Sequence, residues 1–294
     1  MTDTKEIHKA SHIKKVAAVL LLVFSMWMAA VPVMAEESIL PDGKAVYNIL
    51  LIGSDHRDDS WNGNSDVMIL ATLNSETGKL VLTSFMRDLY AEIPGYGTHK
   101  LNYAYAAGGA GTLVETLEDN YDLDIDSYAV VDFDSMADIV DTVGGVDMTI
   151  SDAECEVLNG YLNSMNAQED YLPGGGSYHL NGNQAVAYMR IRYVGNNDYQ
   201  RTQRQRDVMK EIFSGMQNLS ASDLTALAET LLTKIDHNVG PLQMVKLISS
   251  VKDLVGYELV ENRIPYDDLY YSQNEMLVPD FEQTIARLHQ TLYE

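Results

Sequence analysis

Two apolar runs of strand length stand close together early in the chain, and neither fits a sheet with one face in water. Residues 46–52 read VYNILLI and residues 67–73 read VMILATL. Neither alternates strictly between apolar and polar, so each needs cover on both faces, as in a sheet sandwiched between helices. A third run, LVLTSF at 80–85, follows a turn at 74–79, and residues 90–93 read as a short edge strand ended by Pro94-Gly95.

The rest of the pattern alternates. Leu113, Val114, Leu117 and Tyr121 give residues 104–121 a helical period, and 128–133 returns as a strand. A helix at 135–143 is stopped by Gly144-Gly145 before a strand at 146–150, and Gly174 to Gly176 reads as loop. Helices are expected at 181–189, 222–232, 241–255 and 280–292, with a late strand at 257–264. Strands alternating with helices place the chain in the α/β class, as a layered domain around a central mixed sheet.

Residues 16–35 form an uncharged apolar run preceded by Lys5, Lys9, Lys14 and Lys15. Twenty residues just span a bilayer, and the cations before them orient the N-terminus inside and the remainder outside. The run also ends in Val33-Met34-Ala35 ahead of Glu36, the pattern of a signal-peptidase site. Both readings export the main domain. The expected organisation is a cytoplasmic basic stretch at 1–15, a membrane anchor or signal peptide at 16–35, a linker at 36–45 and one extracytoplasmic domain at 46–294 with a C-terminal helical extension. Beyond residue 35 the chain carries 16 Lys and Arg against 41 Asp and Glu, a net charge of −25. That excess argues against a nucleic-acid partner, which calls for a basic footprint. Cys155 is the only cysteine, so neither an intramolecular disulfide nor a cysteine metal site is available.

Within this acidic chain the arginines are concentrated. Five of the nine, Arg190, Arg192, Arg201, Arg204 and Arg206, fall within residues 187–207. The planar guanidinium fork grips phosphate, so the block points to a specific phosphorylated ligand. From Asp198 a helical face runs through Arg201, Gln205, Val208, Met209, Ile212 and Met216. The polar members continue the apolar stripe and should point into a cleft near the helix N-terminus, where anions are favoured. Arg204 and Arg206 fall off this face and are expected on a solvated flank.

Asp55 and Asp66 bracket the loop after the first strand and can hold a hard divalent ion together with phosphate oxygens; they are equally at home as turn formers. Arg57 lies between them, Arg87-Asp88 ends the third strand, and Lys100 follows a glycine-rich bend. No Ser/His/Asp pattern is present and the seven histidines show no metal spacing. Without an evident nucleophile, phosphoryl transfer is the chemistry that fits, because there the protein chiefly positions reactants and neutralises charge.

The segments NILLIGSDHR, NSDVMILATLN, LTSFMRDLYAEIPGYGTHKLNYAYAAGG, VVDFDSMADIVDTVGGVDM, YHLNGNQAVAYMRIRY and DYQRTQRQRDVM together resemble the LytR-CpsA-Psr family, in the family's order, from about residue 46 to 216. The resemblance implies an α–β–α catalytic domain outside the membrane that moves a glycopolymer from a polyprenyl-pyrophosphate carrier to the peptidoglycan of the cell wall. It implies magnesium (or manganese) at Asp55 and Asp66, and pyrophosphate contacts from Arg87, Lys100, Arg190, Arg192, Arg201 and Gln205. It further implies Arg57 near the head group and Asp198 as the base. The implied partners are the lipid-linked glycan, the peptidoglycan acceptor and the membrane, with an apolar trough for the lipid between the sheet and its covering helices. The rival readings are a polyprenyl-pyrophosphate hydrolase, a non-catalytic lipid-phosphate binding protein and a transcriptional regulator.

Overall fold

The computed structural model describes residues 40–54, 63, 65–250, 253 and 256–294. The basic stretch, the apolar run at 16–35, the start of the linker, Asp55 and Arg57 lie outside the described residues. After a short turn at Pro41–Gly43 come strands β1 (Val46–Ser54), β2 (Ser65–Asn74) and β3 (Lys79–Phe85), then a hairpin of β4 (Tyr90–Ile93) and β5 (Gly97–Lys100). Helix α1 (Asn102–Tyr121), strand β6 (Ser127–Val131) and helix α2 (Phe133–Thr142) follow. Next are β7 (Val146–Ile150), α3 (Asp152–Ser164), β8 (Gly176–Leu180), α4 (Gly182–Met189) and the long α5 (Asn197–Asn218). The chain closes with α6 (Ala221–Lys234), β9 (Asp236–His237), α7 (Pro241–Ser250), β10 (Glu258–Ile264), a hairpin of β11 (Tyr270–Gln273) and β12 (Met276–Pro279), and α8 (Phe281–Tyr293).

The central sheet has the order β10-β3-β2-β1-β6-β9. It is mixed: β3–β10 and β1–β6 pair parallel, whereas β1–β2, β2–β3 and β6–β9 pair antiparallel. The expected α/β fold around a mixed sheet is the one observed. The two apolar runs explain it, because successive residues point to opposite faces. Leu50, Ile52, Met68 and Leu70 join the core under α1 and α8, with Leu113, Leu117, Leu288 and Leu292. Ile49, Leu51, Ile69 and Ala71 face the other way, toward α5 and α7.

A second core is built mainly from α2, α3, α4 and the β7–β8 ribbon around Val140, Ile150, Leu158, Leu180 and Ala185, with Ala129 and Val131 of β6 packed against it. Two of its elements are absent from the sequence reading: α3 was not foreseen, and part of β8 falls on the expected loop. A capping box between Ser151 and Glu154 starts α3, and one between Asn181 and Gln184 starts α4. Gly182 lets α4 press against α2, since a Cβ there would lie 2.3 Å from the Ala137 carbonyl oxygen. Val208 and Ile212 bind α5 to this second core, while Met209 and Phe213 lean toward the sheet.

The two layers do not close on each other. Ile49 and Leu51, on a middle strand of the sheet, remain half-buried, and an apolar cavity of about 530 Å3 separates the sheet from α5, α6 and α7. A sealed, dry void of that size would cost on the order of 10 kcal/mol at ~24 cal/mol per Å3. That is comparable with the whole stability of a typical domain, about 5–15 kcal/mol. A volume of this size is therefore not one that the fold keeps sealed and dry.

Candidate active site

One end of the cavity is charged. The start of β2 brings Asp66 there, the first turns of α5 bring Arg201 and Gln205, and the C-terminal cap of α4 brings Arg190. Arg87 and Asp88 follow β3, and the turn is fixed by the Met86 amide donating to the Ile264 carbonyl at 3.0 Å. The amide of Asn102 donates back to the Arg87 carbonyl at 3.2 Å, so Lys100 at the end of β5 returns beside the same turn.

These side chains form one network. Arg87 Nη1 donates to Asp66 Oδ1 at 3.0 Å and Arg201 Nη1 donates to Asp66 Oδ2 at 3.3 Å. Asp198 is ringed by Arg192 Nη2 at 2.9 Å, Arg201 Nη2 at 3.0 Å and Arg87 Nη2 at 3.7 Å. Lys100 Nζ lies 2.8 Å from Asp88 Oδ1, whose other oxygen is 3.7 Å from Arg87 Nε. Burial works against the Arg87 charge, but Asp66, Asp198 and Asp88 outweigh it and hold the guanidinium above its ordinary value. Arg190 is held differently, with the Phe133 ring 4.5 Å and the Tyr161 ring 4.6 Å from its guanidinium carbon. Those two aromatics carry no polar motif, which is why the sequence reading passed over them.

The network is incomplete in a particular way. The Nε atoms of Arg87, Arg192 and Arg201 are buried without a hydrogen-bond partner. Leaving a buried donor unmade costs about 1–3 kcal/mol. Arg190, Arg201 and Gln205 line this end of the cavity, with Arg87 and Arg192 behind them on Asp66 and Asp198, a concentration of cations suited to a multiply charged oxyanion. Asp66, 37% exposed at the side chain and shared by Arg87 and Arg201, is a hard oxygen donor of the kind magnesium takes. Among the described residues no three His, Cys, Asp or Glu side chains cluster as a metal site, so an ion here fits as one that completes its shell with phosphate oxygens and water.

The structure thus brings together Asp66, Arg87, Lys100, Arg192, Asp198 and Arg201, with Arg190 and Gln205 on the cavity wall. It corrects the expectation for the other two arginines of the block. Arg204 is 1% exposed and donates to Glu154, Ile191 O and Val194 O. Arg206 is 5% exposed, with Nη1 donating to Ser84 Oγ at 2.8 Å and Nε 3.5 Å from Glu261. Neither is a solvated flank, because α3 covers one side of α5 and the β3–β10 edge covers the other.

The sequence matches the profile of the LytR_cpsA_psr family over residues 6–292. It is 31% identical over 229 residues to Biofilm regulatory protein A of Streptococcus mutans, covering 72% of this chain and 53% of that protein. It is 35% identical over 211 residues to the polyisoprenyl-teichoic acid–peptidoglycan teichoic acid transferase TagU of Bacillus cereus (strain AH820), covering 70% of this chain and 65% of that protein. The matches thus span between half and two thirds of these relatives' own length. A solved structure described as TagT bound to LIIa-WTA superposes with a TM-score of 0.69 at 25% identity, covering 88% of this chain and 92% of that one. On these grounds the chain belongs to the LytR_cpsA_psr family.

Proposed function

We propose that this protein transfers a glycopolymer from a polyprenyl-pyrophosphate carrier to the peptidoglycan of the cell wall, outside the cytoplasm and at the membrane. The observation that carries the reading is the cavity itself, an apolar trough whose charged end is lined by Arg190, Arg201 and Gln205. A lipid pyrophosphate matches both ends. The names of the relatives, teichoic acid transferases and a TagT bound to LIIa-WTA, support the same class.

In this reading the prenyl tail lies along Ile49, Leu51, Met209 and Leu247. Arg87, Lys100, Arg190, Arg192, Arg201 and Gln205 hold the pyrophosphate, with Arg57 near the head group. Asp66, together with Asp55, holds a magnesium or manganese ion, which when bound supplies charge neutralisation to the phosphates. Asp198 receives the proton of an incoming sugar hydroxyl while its oxygen bonds to the glycan-side phosphorus. The bond to the bridging oxygen breaks, and polyprenyl monophosphate leaves.

The test offers a polyprenyl-pyrophosphate glycan to the protein with a peptidoglycan acceptor and with water alone. Acceptor-dependent transfer is expected. Release at an equal rate in water alone would make the protein a hydrolase. Excess chelator should stop turnover and added magnesium restore it; full turnover in chelator would remove the ion from the reading.

A further inference from the structure

A lipid-linked donor must reach the cavity from a bilayer, and one wall of the cavity has an apolar outer side. Helix α7 lines the cavity with Met244, Leu247 and Ile248. On its other side Leu242 and Val245, on one helical face, are 69% and 46% exposed. The other large hydrophobics exposed among the described residues are Tyr96, Tyr103, Tyr171, Tyr193 and Tyr271, all of which carry a polar hydroxyl. Leu242 and Val245 have no polar handle. The outer side of α7 thus presents two aliphatics beside Lys246, the mixture of apolar and cationic residues that an interfacial helix carries.

The position of α7 identifies the surroundings. Gln243 Nε2 donates to Asp42 Oδ2 at 2.7 Å, tying the helix to the turn at Pro41–Gly43. Leu40, fully buried, packs in the cluster that includes Leu247. Ala35, the last residue of the apolar run, precedes Leu40 by five positions, a reach of at most roughly 18 Å. A bilayer that holds the run therefore lies within that tether of the turn against which α7 is fastened.

We infer that the outer edge of α7, with Pro241, Leu242 and Val245, seats in the interfacial layer of the lipid bilayer and forms the port through which a prenyl chain enters the cavity. The port rests on the lipid-linked donor proposed above; the bilayer contact is measurable without it. Interfacial helices bind by apolar side chains sunk to the headgroup boundary, and the two aliphatics supply that contact beside the cavity.

Cys155 is buried, so a cysteine introduced at Leu242, Val245 or Tyr96 can be labelled selectively with bimane in the full chain. Tyr96 is the control, 47% exposed on the β4–β5 hairpin, which packs on the opposite face of the sheet. In phosphatidylcholine vesicles carrying brominated acyl chains, the labels at 242 and 245 are expected to be quenched and the label at 96 not. Quenching at 242 and 245 no greater than at 96 overturns the contact. So does loss of water exposure at 242 and 245 without bromine quenching, which would place a second copy or a protein partner there. The double variant Leu242→Asp/Val245→Asp should slow turnover of a vesicle-embedded donor roughly tenfold or more and leave a short-prenyl, water-soluble donor unaffected. Equal slowing of both donors overturns the port. No turnover of either donor by the unaltered protein defeats the transferase reading and, with it, the port, while the quenching still decides the contact.

Discussion

Arg201 and Arg204 sit three residues apart on α5, both nearly lost to solvent and both beside a carboxylate, yet they are built for different ends. Arg204 is closed. Its Nε donates to Glu154 at 2.9 Å, Nη1 to the Ile191 carbonyl at 3.1 Å and Nη2 to the Val194 carbonyl at 2.9 Å. Those two carbonyls flank Arg192, so Arg204 fixes the loop that presents a neighbouring site arginine. Arg201 shares Asp66 and Asp198 with other guanidiniums and keeps Nε unpartnered at the cavity. Burial does not distinguish the two. Completeness of hydrogen bonding does: Arg204 has a partner for Nε, Nη1 and Nη2, whereas Arg201 keeps Nε unmade beside the cavity.

The sharpest way to break this contrast is Arg204→Ala. It strands Glu154 and two carbonyls, and losing one partner of a buried pair costs about 3–5 kcal/mol. Urea unfolding should show a lower midpoint with an unchanged slope. A loss under about 1 kcal/mol would mean the closed network is ornamental.

Arg201→Ala should act on rate. Asp66 keeps Arg87 and Asp198 keeps Arg192, so neither carboxylate is left without a cation. Turnover should fall about thirtyfold or more, corresponding to roughly 2 kcal/mol of lost transition-state stabilisation. Arg201→Lys should recover only part, since the charge returns without the fork. Equal turnover in all three proteins would place the site elsewhere.

Acid provides a gentler probe of the same division. Burial pulls Glu154 upward, but the bonds from Ser151 and Arg204 outweigh it and hold the carboxyl below the usual range. A depressed folded value contributes stability above the unfolded value, near 4.5, that is lost as pH falls through the folded value. The stability gap between the parent and Arg204→Ala should narrow on acidification through that window. A constant gap would detach Arg204 from Glu154.

The smallest effect calibrates the scale. His179 on β8 presents Nδ1 to Asp147 at 2.7 Å and Nε2 to the Gly144 carbonyl, both acceptors, with 61% of its side chain exposed. The Asp147 bond and the Gly144 bond raise its value above 6.5. Its contribution is present below 6.5 and fades as pH rises through the folded value. His179→Ala should cost under about 1 kcal/mol at pH 6 and less at pH 9, because exposed pairs are weak. A cost matching that of Arg204→Ala would erase the distinction between open and closed pairs.

Part of the site was legible because local spacing encodes it. Asp198, Arg201 and Gln205 recur at helical intervals on the stripe that Val208 and Ile212 continue, so their inward direction follows from period alone. Arg204 and Arg206 were misread because their partners are far away in sequence. Glu154 is 50 positions back and Glu261 is 55 ahead, on elements the period of α5 cannot register. Two-sided burial of β1 and β2 was visible in composition. The β11–β12 hairpin, only four residues per strand, left no comparable signal.

The parallel pairing of β3 with β10 has a consequence for how the molecule comes into being. Synthesis delivers β1, β2 and β3 first, and their antiparallel pairing can begin at once. The outer edge of Lys79–Phe85 stays bare until Glu258–Ile264 has been made. The Asn74 side chain waits longer still, since its amide donates to the Leu292 carbonyl at 3.1 Å, 218 positions later. An exposed apolar strand edge is a template for pairing with other chains. Chains cut short before β10 would therefore carry an adhesive edge. For this protein the hazardous interval of birth opens with β3 and closes only when β10 has been made.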